Sequence, residues 1–387
     1  MPRRRTPPRH GRRSGTRPAV RLAAEGRNAD GRNVDGRNVD GRAVETVPVE
    51  LAVAPGLVDL ALHELRELAR RSRRPIPTTR VGDDAISLAW PGAHAELHDL
   101  RTVQFVSRVW AFTVPRPKAL LGDEALRTLQ GGLRQLAAAA PFTGLRLSAA
   151  GRDSTVMRRL AAALAEPIGL EPRDDGDLLV RVRRAEAGGW EVLARTTPRP
   201  LSVRVWRVCD RPGGLDAALA AALLRWVGVR ARDRVCNPML GGGTMLIERA
   251  LAGPAACLDG FDLDAEALAC AERNAAAAGV AERLRLWQAD ATSAPAGARS
   301  ERYDLQLADP PWGDAVGDHA DNAALYTGLL AAAAARAAPE GRLLLVTHEV
   351  RLAERVLAGH PSWHVVAERR VWQGGHRPAC LWLARRP

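Results

Sequence analysis

From Arg211 to the C-terminus, short apolar runs alternate with longer stretches whose apolar residues recur at helical spacing. That pattern constrains the fold more than any other feature. Parallel strands cannot be joined by a tight hairpin and need a crossover, usually a helix, so regular alternation predicts a parallel α/β sheet. Helices are expected at 217–227, 243–251, 265–278 and 323–338. Strands are expected at 234–238, 256–263, 284–289, 303–308 and 342–347, the last entered through a Pro339-Glu340-Gly341 turn. Segments 365–372 and 380–383, flanking Gly374-Gly375, read as a closing β-hairpin.

Residues 46–205 mix strands and helices without regular alternation, which predicts α+β structure. Strands are expected at 47–53, 85–90, 105–114, 145–149, 178–183 and 190–196. Pro55-Gly56 opens a helix with Leu57, Ala61, Leu65 and Leu68 on one face, and further helices are expected at 123–139 and 154–164. His94, Glu96 and His98 invite a metal reading, but H-E-x-x-H requires Glu directly after the first His. They are expected to be solvent-exposed polar residues, with no metal.

Residues 1–45 are expected to form a disordered N-terminal tail: eight arginines fall in the first 21 residues, followed by the repeats GRNAD, GRNVD, GRNVD and GRAVE. Too few apolar groups are present to offset chain entropy. The tail holds 12 arginines against five acids, so +7 of the net +12 lies there and the body is only mildly basic. A basic arm of this kind suits RNA phosphates. Lys118 is the only lysine. A P-loop needs Gly-Lys-Ser/Thr and is excluded, and the kinase signature set is absent as well. No apolar run reaches a membrane span, the N-terminus lacks a signal-peptide apolar region, and a cytoplasmic protein is expected. Five scattered cysteines without a C-x-x-C pair read as reduced thiols.

Chemistry concentrates at the expected strand tips. The first strand runs into Asn237-Pro238-Met239-Leu240-Gly241-Gly242-Gly243-Thr244 and then a helix. Glycines let a ligand approach the backbone, and a helix N-terminus points N–H groups at it. The third glycine of a dinucleotide fingerprint is missing. The second strand ends at Asp262-Leu263-Asp264: Asp262 suits ribose hydroxyls and Asp264 suits a helix cap. Asp290-Ala291 at the third tip could meet an adenine amine and ring. The fourth ends Asp309-Pro310-Pro311-Trp312. Its prolines fix an extended backbone, leaving the Pro310 carbonyl and Asp309 as acceptors beside the flat Trp312 ring. Two acceptors and an aromatic platform suit an exocyclic amine on a planar base.

These residues, in this order, resemble the S-adenosylmethionine-dependent amino-methyltransferases that carry a (D/N)-P-P-(Y/F/W) motif. The stretch from Asn237 to Glu248 is similar to the D-P-x-C-G-S-G-T-x-x-I-E box of THUMP-domain RNA methyltransferases, over roughly residues 200–387. Residues 145–204, closing on Pro200-Leu201-Ser202-Val203-Arg204-Val205-Trp206, look more weakly like a THUMP module. The resemblance implies a Rossmann-like α/β methyltransferase domain at 206–387 and an α+β, ferredoxin-like and THUMP-like RNA-binding region at 46–205. It further implies S-adenosyl-L-methionine as cofactor, RNA (commonly tRNA) as partner, and methylation of a guanosine N2 amine. Asn237, Pro238, Gly241 and Gly243 would line the methionine part, Asp262 would hold the ribose, Asp290 with Ala291 the adenine, and Asp309 to Trp312 the target base; Leu263 would also touch the cofactor. Arg152, Arg158 and Arg159 are the expected phosphate contacts. Asn237 stands where the family has Asp, and Leu240 where it has Cys. Two alternatives stay open: an N6-adenine or protein-glutamine methyltransferase, and an RNA-binding protein with an inactive pocket.

Overall fold

In Val47–Ala52 (β1), Val49 and Leu51 point inward while Pro48 faces out, the alternation expected of a half-buried strand. The following helix, Val58–Arg71 (α1), buries Val58, Ala61, Leu65, Leu68 and Ala69 along one stripe. Thr79–Val81 (β2), Ala85–Trp90 (β3), Phe105–Phe112 (β4), Asp123–Ala139 (α2), Leu145–Ala149 (β5), Thr155–Ala165 (α3), Leu178–Arg184 (β6) and Trp190–Arg195 (β7) complete the N-terminal lobe. Its seven-stranded sheet has the order β2-β3-β1-β4-β7-β6-β5, and every pair is antiparallel except β5–β6. The computed structural model describes residues 46–293, 302–311, 322–373, 375 and 377–386. The expected tail, Trp312 and Gly374 lie outside the described residues.

The second lobe consists of Ala217–Val227 (α4), Arg234–Asn237 (β8), Thr244–Leu251 (α5), Cys257–Asp262 (β9), Ala265–Ala277 (α6), Arg285–Gln288 (β10), Tyr303–Ala308 (β11), Asn322–Arg336 (α7), Ala337–Thr347 (β12), Val350–Ala358 (α8), Trp363–Arg370 (β13) and Ala379–Arg385 (β14). The sheet order is β10-β9-β8-β11-β12-β14-β13, parallel from β10 through β12, with β14 antiparallel to both its neighbours. The strand order reverses between β8 and β11. Helices following those two strands leave on opposite sides, so a crevice opens at their C-terminal ends, the usual ligand position in such sheets. One apolar core runs through both lobes, from Leu51, Leu57 and Leu65 to Leu223, Leu246 and Leu305.

Four expectations need correction. Pro339-Glu340-Gly341 does not precede the strand but bulges from within β12: Ala337 already pairs with Tyr303, and pairing resumes at Leu305↔Arg342. Helix α8, absent from the sequence reading, buries Leu352, Ala353 and Leu357. His94 and His98 are half-buried on a 3-10 turn, not solvated. Their rings lie 5.9 Å apart, His98 Nε2 is 2.8 Å from Thr196 Oγ1, and Glu96 pairs with Arg74. Burial, His98 and Arg108 push His94 down to about 4, so it is a neutral packing residue at pH 7. Finally, Cys209 and Cys270 form a disulfide across 61 residues, and Cys236, Cys257 and Cys380 lie outside it. Cys209 lies in the segment joining the lobes and Cys270 on α6, a meeting no local spacing announces.

Candidate active site

The glycine turn is built from two different needs. Gly241 takes φ +53° and a Cβ there would meet nothing within 4 Å, so the backbone faces open space. Gly243, at φ +83°, sits against α6, where a Cβ would come 3.1 Å from Ala271 Cβ and 3.2 Å from Ile247 Cδ1. One glycine therefore exposes the chain to a ligand, and the other lets α5 pack on α6. Beneath the turn Leu240 is buried, and its N–H donates to Phe261 O at 3.1 Å.

Asp262, at the tip of β9, accepts from the Gly241 N–H (2.8 Å) and the Asp264 N–H (3.0 Å), one bond on each oxygen. Each oxygen keeps a lone pair for an outside donor. Beside it, Leu263 is 69 % exposed, an apolar surface at the crevice mouth. Asp264 caps α6 by accepting from the Glu266 N–H (2.8 Å) and also pairs with Arg211. At the next tip, Asp290 accepts from Thr292 N–H and Oγ1–H, both at 2.8 Å, and Ala291 is buried. The half-buried Gly241 with open space beside its Cα, a carboxylate with spare acceptor capacity and an exposed leucine together offer what a nucleoside carrying an amino-acid tail would need.

Asp309, Pro310 and Pro311 follow β11, which pairs with β8 through Leu305↔Val235 and Gln306↔Cys236. The acidic hook and the glycine turn therefore leave adjacent parallel strands at the same rim. Behind the hook, Tyr326 Oη and Thr347 Oγ1 are 2.5 Å apart, both residues fully buried. Burial, helped by the Asp309 and Glu349 charges, pushes the Tyr326 phenol up to about 12. Burial followed by the Asp309 charge pushes Cys380 up to about 12 as well. Both groups stay protonated at neutral pH, so neither can act there as a base.

Asn237 to Gly243, Asp262, Leu263, Asp290, Ala291 and Asp309 to Pro311 thus gather at the ends of four neighbouring strands. Arg152, Arg158 and Arg159 lie elsewhere: all three are exposed, around α3 in the N-terminal lobe, and Arg152 sits 3.5 Å from Asp174. Sequence reasoning missed two supports of the crevice. Arg336 is buried at the end of α7, donates to Ala291 O (3.0 Å) and Ser293 O (2.8 Å), and lies over the Phe261 ring. Asn274 on α6 donates to Cys209 O (3.0 Å) and Gly242 O (2.9 Å) and accepts from the Cys209 N–H (2.9 Å), binding the inter-lobe segment to the glycine turn. A buried Arg or Asn at a helical position carries no local signature.

A doubly wound sheet with a glycine turn and an acidic, double-proline hook at one switch point defines a class I, S-adenosylmethionine-dependent methyltransferase. Residues 204–379 match the model of the RMKL-like methyltransferase domain. The chain is 32 % identical over 353 residues to the tRNA (guanine(6)-N2)-methyltransferase of Thermus thermophilus, spanning 85 % of this chain and 97 % of that one. It is 27 % identical over 224 residues to the Archaeoglobus fulgidus enzyme of the same name, covering 51 % and 56 % of the two chains. The crystal structure of TrmN from Thermus thermophilus superposes with a TM-score of 0.66 at 26 % identity, over 88 % of this chain and all of that one. The chain belongs to the tRNA guanine-N2-methyltransferase family. Among the described residues, no helix is long and apolar enough to cross a membrane.

Proposed function

We propose that the chain methylates the N2 amine of a guanosine in tRNA. The observation that carries this reading is the pairing of β8 with β11, which brings the glycine turn and the Asp309-Pro310-Pro311 hook side by side. When bound, S-adenosylmethionine supplies an electrophilic methyl group on its sulfonium. Asp262 then accepts from ribose hydroxyls with Leu263 against the sugar, Asp290 and Ala291 receive the adenine, and Pro238, Gly241 and Gly243 line the amino-acid end, with the buried Asn237 side chain held beneath them. Asp309 and the Pro310 carbonyl each accept one N–H of the target amine, aiming its lone pair at the crevice, with Trp312 as the stacking surface. Orientation of this kind can contribute up to ~7–11 kcal/mol. The target base has to leave its stack, at a cost of a few kcal/mol that stacking partly offsets.

The N-terminal region, 46–205, acts as the RNA-binding part in this reading, with Arg152, Arg158 and Arg159 on phosphates and methyltransfer confined to 206–387. The relatives named for guanine(6)-N2 methylation of tRNA support guanosine over adenosine. Asp309→Ala is expected to lower turnover about 10²–10⁴-fold while S-adenosylhomocysteine affinity stays within about threefold of wild type. Nucleoside mass spectrometry of tRNA incubated with enzyme and cofactor reads the product. N6-methyladenosine in place of N2-methylguanosine overturns the substrate; cofactor binding without any RNA product overturns the activity.

A further inference from the structure

The departure at Asn237 has a structural use. The Asn237 side chain is 2 % exposed at the reversal point of the sheet, between the glycine turn and the hook. Backbone pairing between β8 and β11 ends at Gln306↔Cys236. Pro238, next after Asn237, has no N–H with which to continue the ladder. One orientation of the amide has Oδ1 of Asn237 accept from the Met239 N–H at 3.3 Å; the opposite one, which fits the carbonyls around it, turns Nδ2 onto Leu307 O (3.0 Å) and Met239 O (3.1 Å). Both amide hydrogens are used, one on each strand tip. Leu307 stands two residues before Asp309, and Met239 two before Gly241. A carboxylate cannot make either bond, because an ionised Asp only accepts.

We infer that Asn237 is a positioning residue: its amide staples the cofactor turn to the base hook in place of the hydrogen bond Pro238 cannot give. This inference rests on the methyltransferase reading for its effect on rate, but the staple itself does not. In an Asn237→Asp variant the carboxyl faces two carbonyl oxygens. The charged groups on the flanking strand tips, Asp262 on one side and Asp309 on the other, are also carboxylates. Against these the Met239 N–H is the one donor that would lower its pKa; two carbonyls and two carboxylates outweigh it, so the pKa rises above the ordinary ~3.9. The variant then keeps a folded-state pKa above the unfolded one, so its stability is greatest at low pH and falls as pH rises through the folded value.

Two measurements on the full chain test this. In thermal melts of Asn237→Asp beside wild type, the deficit in Tm is expected to widen as pH rises from about 4, the unfolded-state value, and to level off once pH passes the variant's folded-state pKa. A deficit independent of pH overturns the staple whether or not any RNA is methylated. In steady-state kinetics at pH 8, kcat is expected to fall about tenfold or more while S-adenosylhomocysteine affinity changes less than about threefold, with kcat recovering toward wild type near pH 6. Tenfold tighter cofactor binding with undiminished kcat would instead mean that position 237 faces the cofactor, and would refute the assignment. Should Asn237→Asp fail to fold, Asn237→Ser serves instead, with one donor in place of two: turnover between wild type and Asn237→Ala is the expected order, and equal turnover in both refutes it. A wild type without turnover on any RNA removes the activity but leaves the melts to decide the staple.

Discussion

The two seven-stranded sheets of this molecule place polar residues by different rules. In the C-terminal sheet five strands run parallel, so their C-terminal ends fall on one rim, and Asn237, Asp262, Asp290 and Asp309 meet there although up to 72 residues separate them. In the N-terminal sheet the strands mostly antiparallel each other, so successive ends alternate between opposite rims and no edge collects chemistry. Its ionic groups are spent instead across faces and joints. Arg183 on β6 links Glu50 on β1 to Glu191 on β7. Arg369 on β13 reaches Asp59 on α1 through two bonds of 2.9 and 2.7 Å and lies over Trp226. One sheet therefore assembles a site by topology; the other attaches to it through a shared apolar core reinforced by ion pairs.

The largest effect is expected at the joint itself. Glu248, on the helix that follows the glycine turn, is 1 % exposed and accepts from Arg101 (2.7 and 2.9 Å) and Arg204 (2.8 Å). Arg204 also donates to the Arg101 carbonyl at 2.6 Å. Glu248→Ala leaves two guanidinium groups facing each other without their carboxylate, which costs about 3–5 kcal/mol for a buried pair. At about 2–4 °C per kcal/mol for domains of 150–250 residues, Tm should fall by roughly 10 °C. The half-exposed pair Arg234–Asp304 within the C-terminal lobe is the control, and Asp304→Asn is expected to cost under about 1 kcal/mol. Equal losses in the two variants would mean that the buried ion pairs add no more to the joint than an exposed pair adds within one lobe.

A smaller effect is expected at the disulfide, which ties the inter-lobe segment to α6 and, through Asn274, to the glycine turn. In the chain-entropy account a loop of this length is worth about 4 kcal/mol, and typical values are 2–4. Cys209→Ser, or reduction by an excess of a dithiol, should lower Tm and weaken S-adenosylhomocysteine binding severalfold, with RNA affinity little changed. A selective loss of RNA affinity would instead place the segment with the N-terminal lobe. Non-reducing peptide mapping of the purified chain checks the bond directly.

The same topological difference explains what could be read in the sequence. Strand ends in a parallel sheet are punctuated locally: Asp262, Asp290 and Asp309 each close an apolar run, so the rim was visible without coordinates. Elements 85–90, 123–139, 145–149, 217–227 and 303–308 match the observed bounds because their periodicity is self-contained. What escaped depends on distant partners. Glu248 lies 147 residues from Arg101 and 44 from Arg204, and Cys209 lies 61 from Cys270. The bulge in β12 exists only because Ala337 finds Tyr303. Asn237 was legible as a departure from a family pattern, but its bond to Leu307 needs the β8–β11 contact to be known.

The weakest expected effect is the sharpest probe of the division of labour. Arg158 and Arg159 extend from α3 into solvent, while Met157, Leu160 and Leu164 hold the helix to the sheet. Replacing both with Ala removes charge without disturbing that apolar face, so the unfolding free energy should stay within about 0.5 kcal/mol of wild type. If the pair meets RNA phosphates, affinity falls severalfold and the slope of log K against log salt becomes shallower by about 0.7–0.9 for each lost contact. Because these arginines stand on the lobe without the rim, KM for RNA should rise while kcat at saturating RNA and S-adenosylhomocysteine affinity stay put. A fall in kcat with unchanged KM would mean that α3 reaches the reacting base, and the separation between an attaching sheet and a reacting rim would fail.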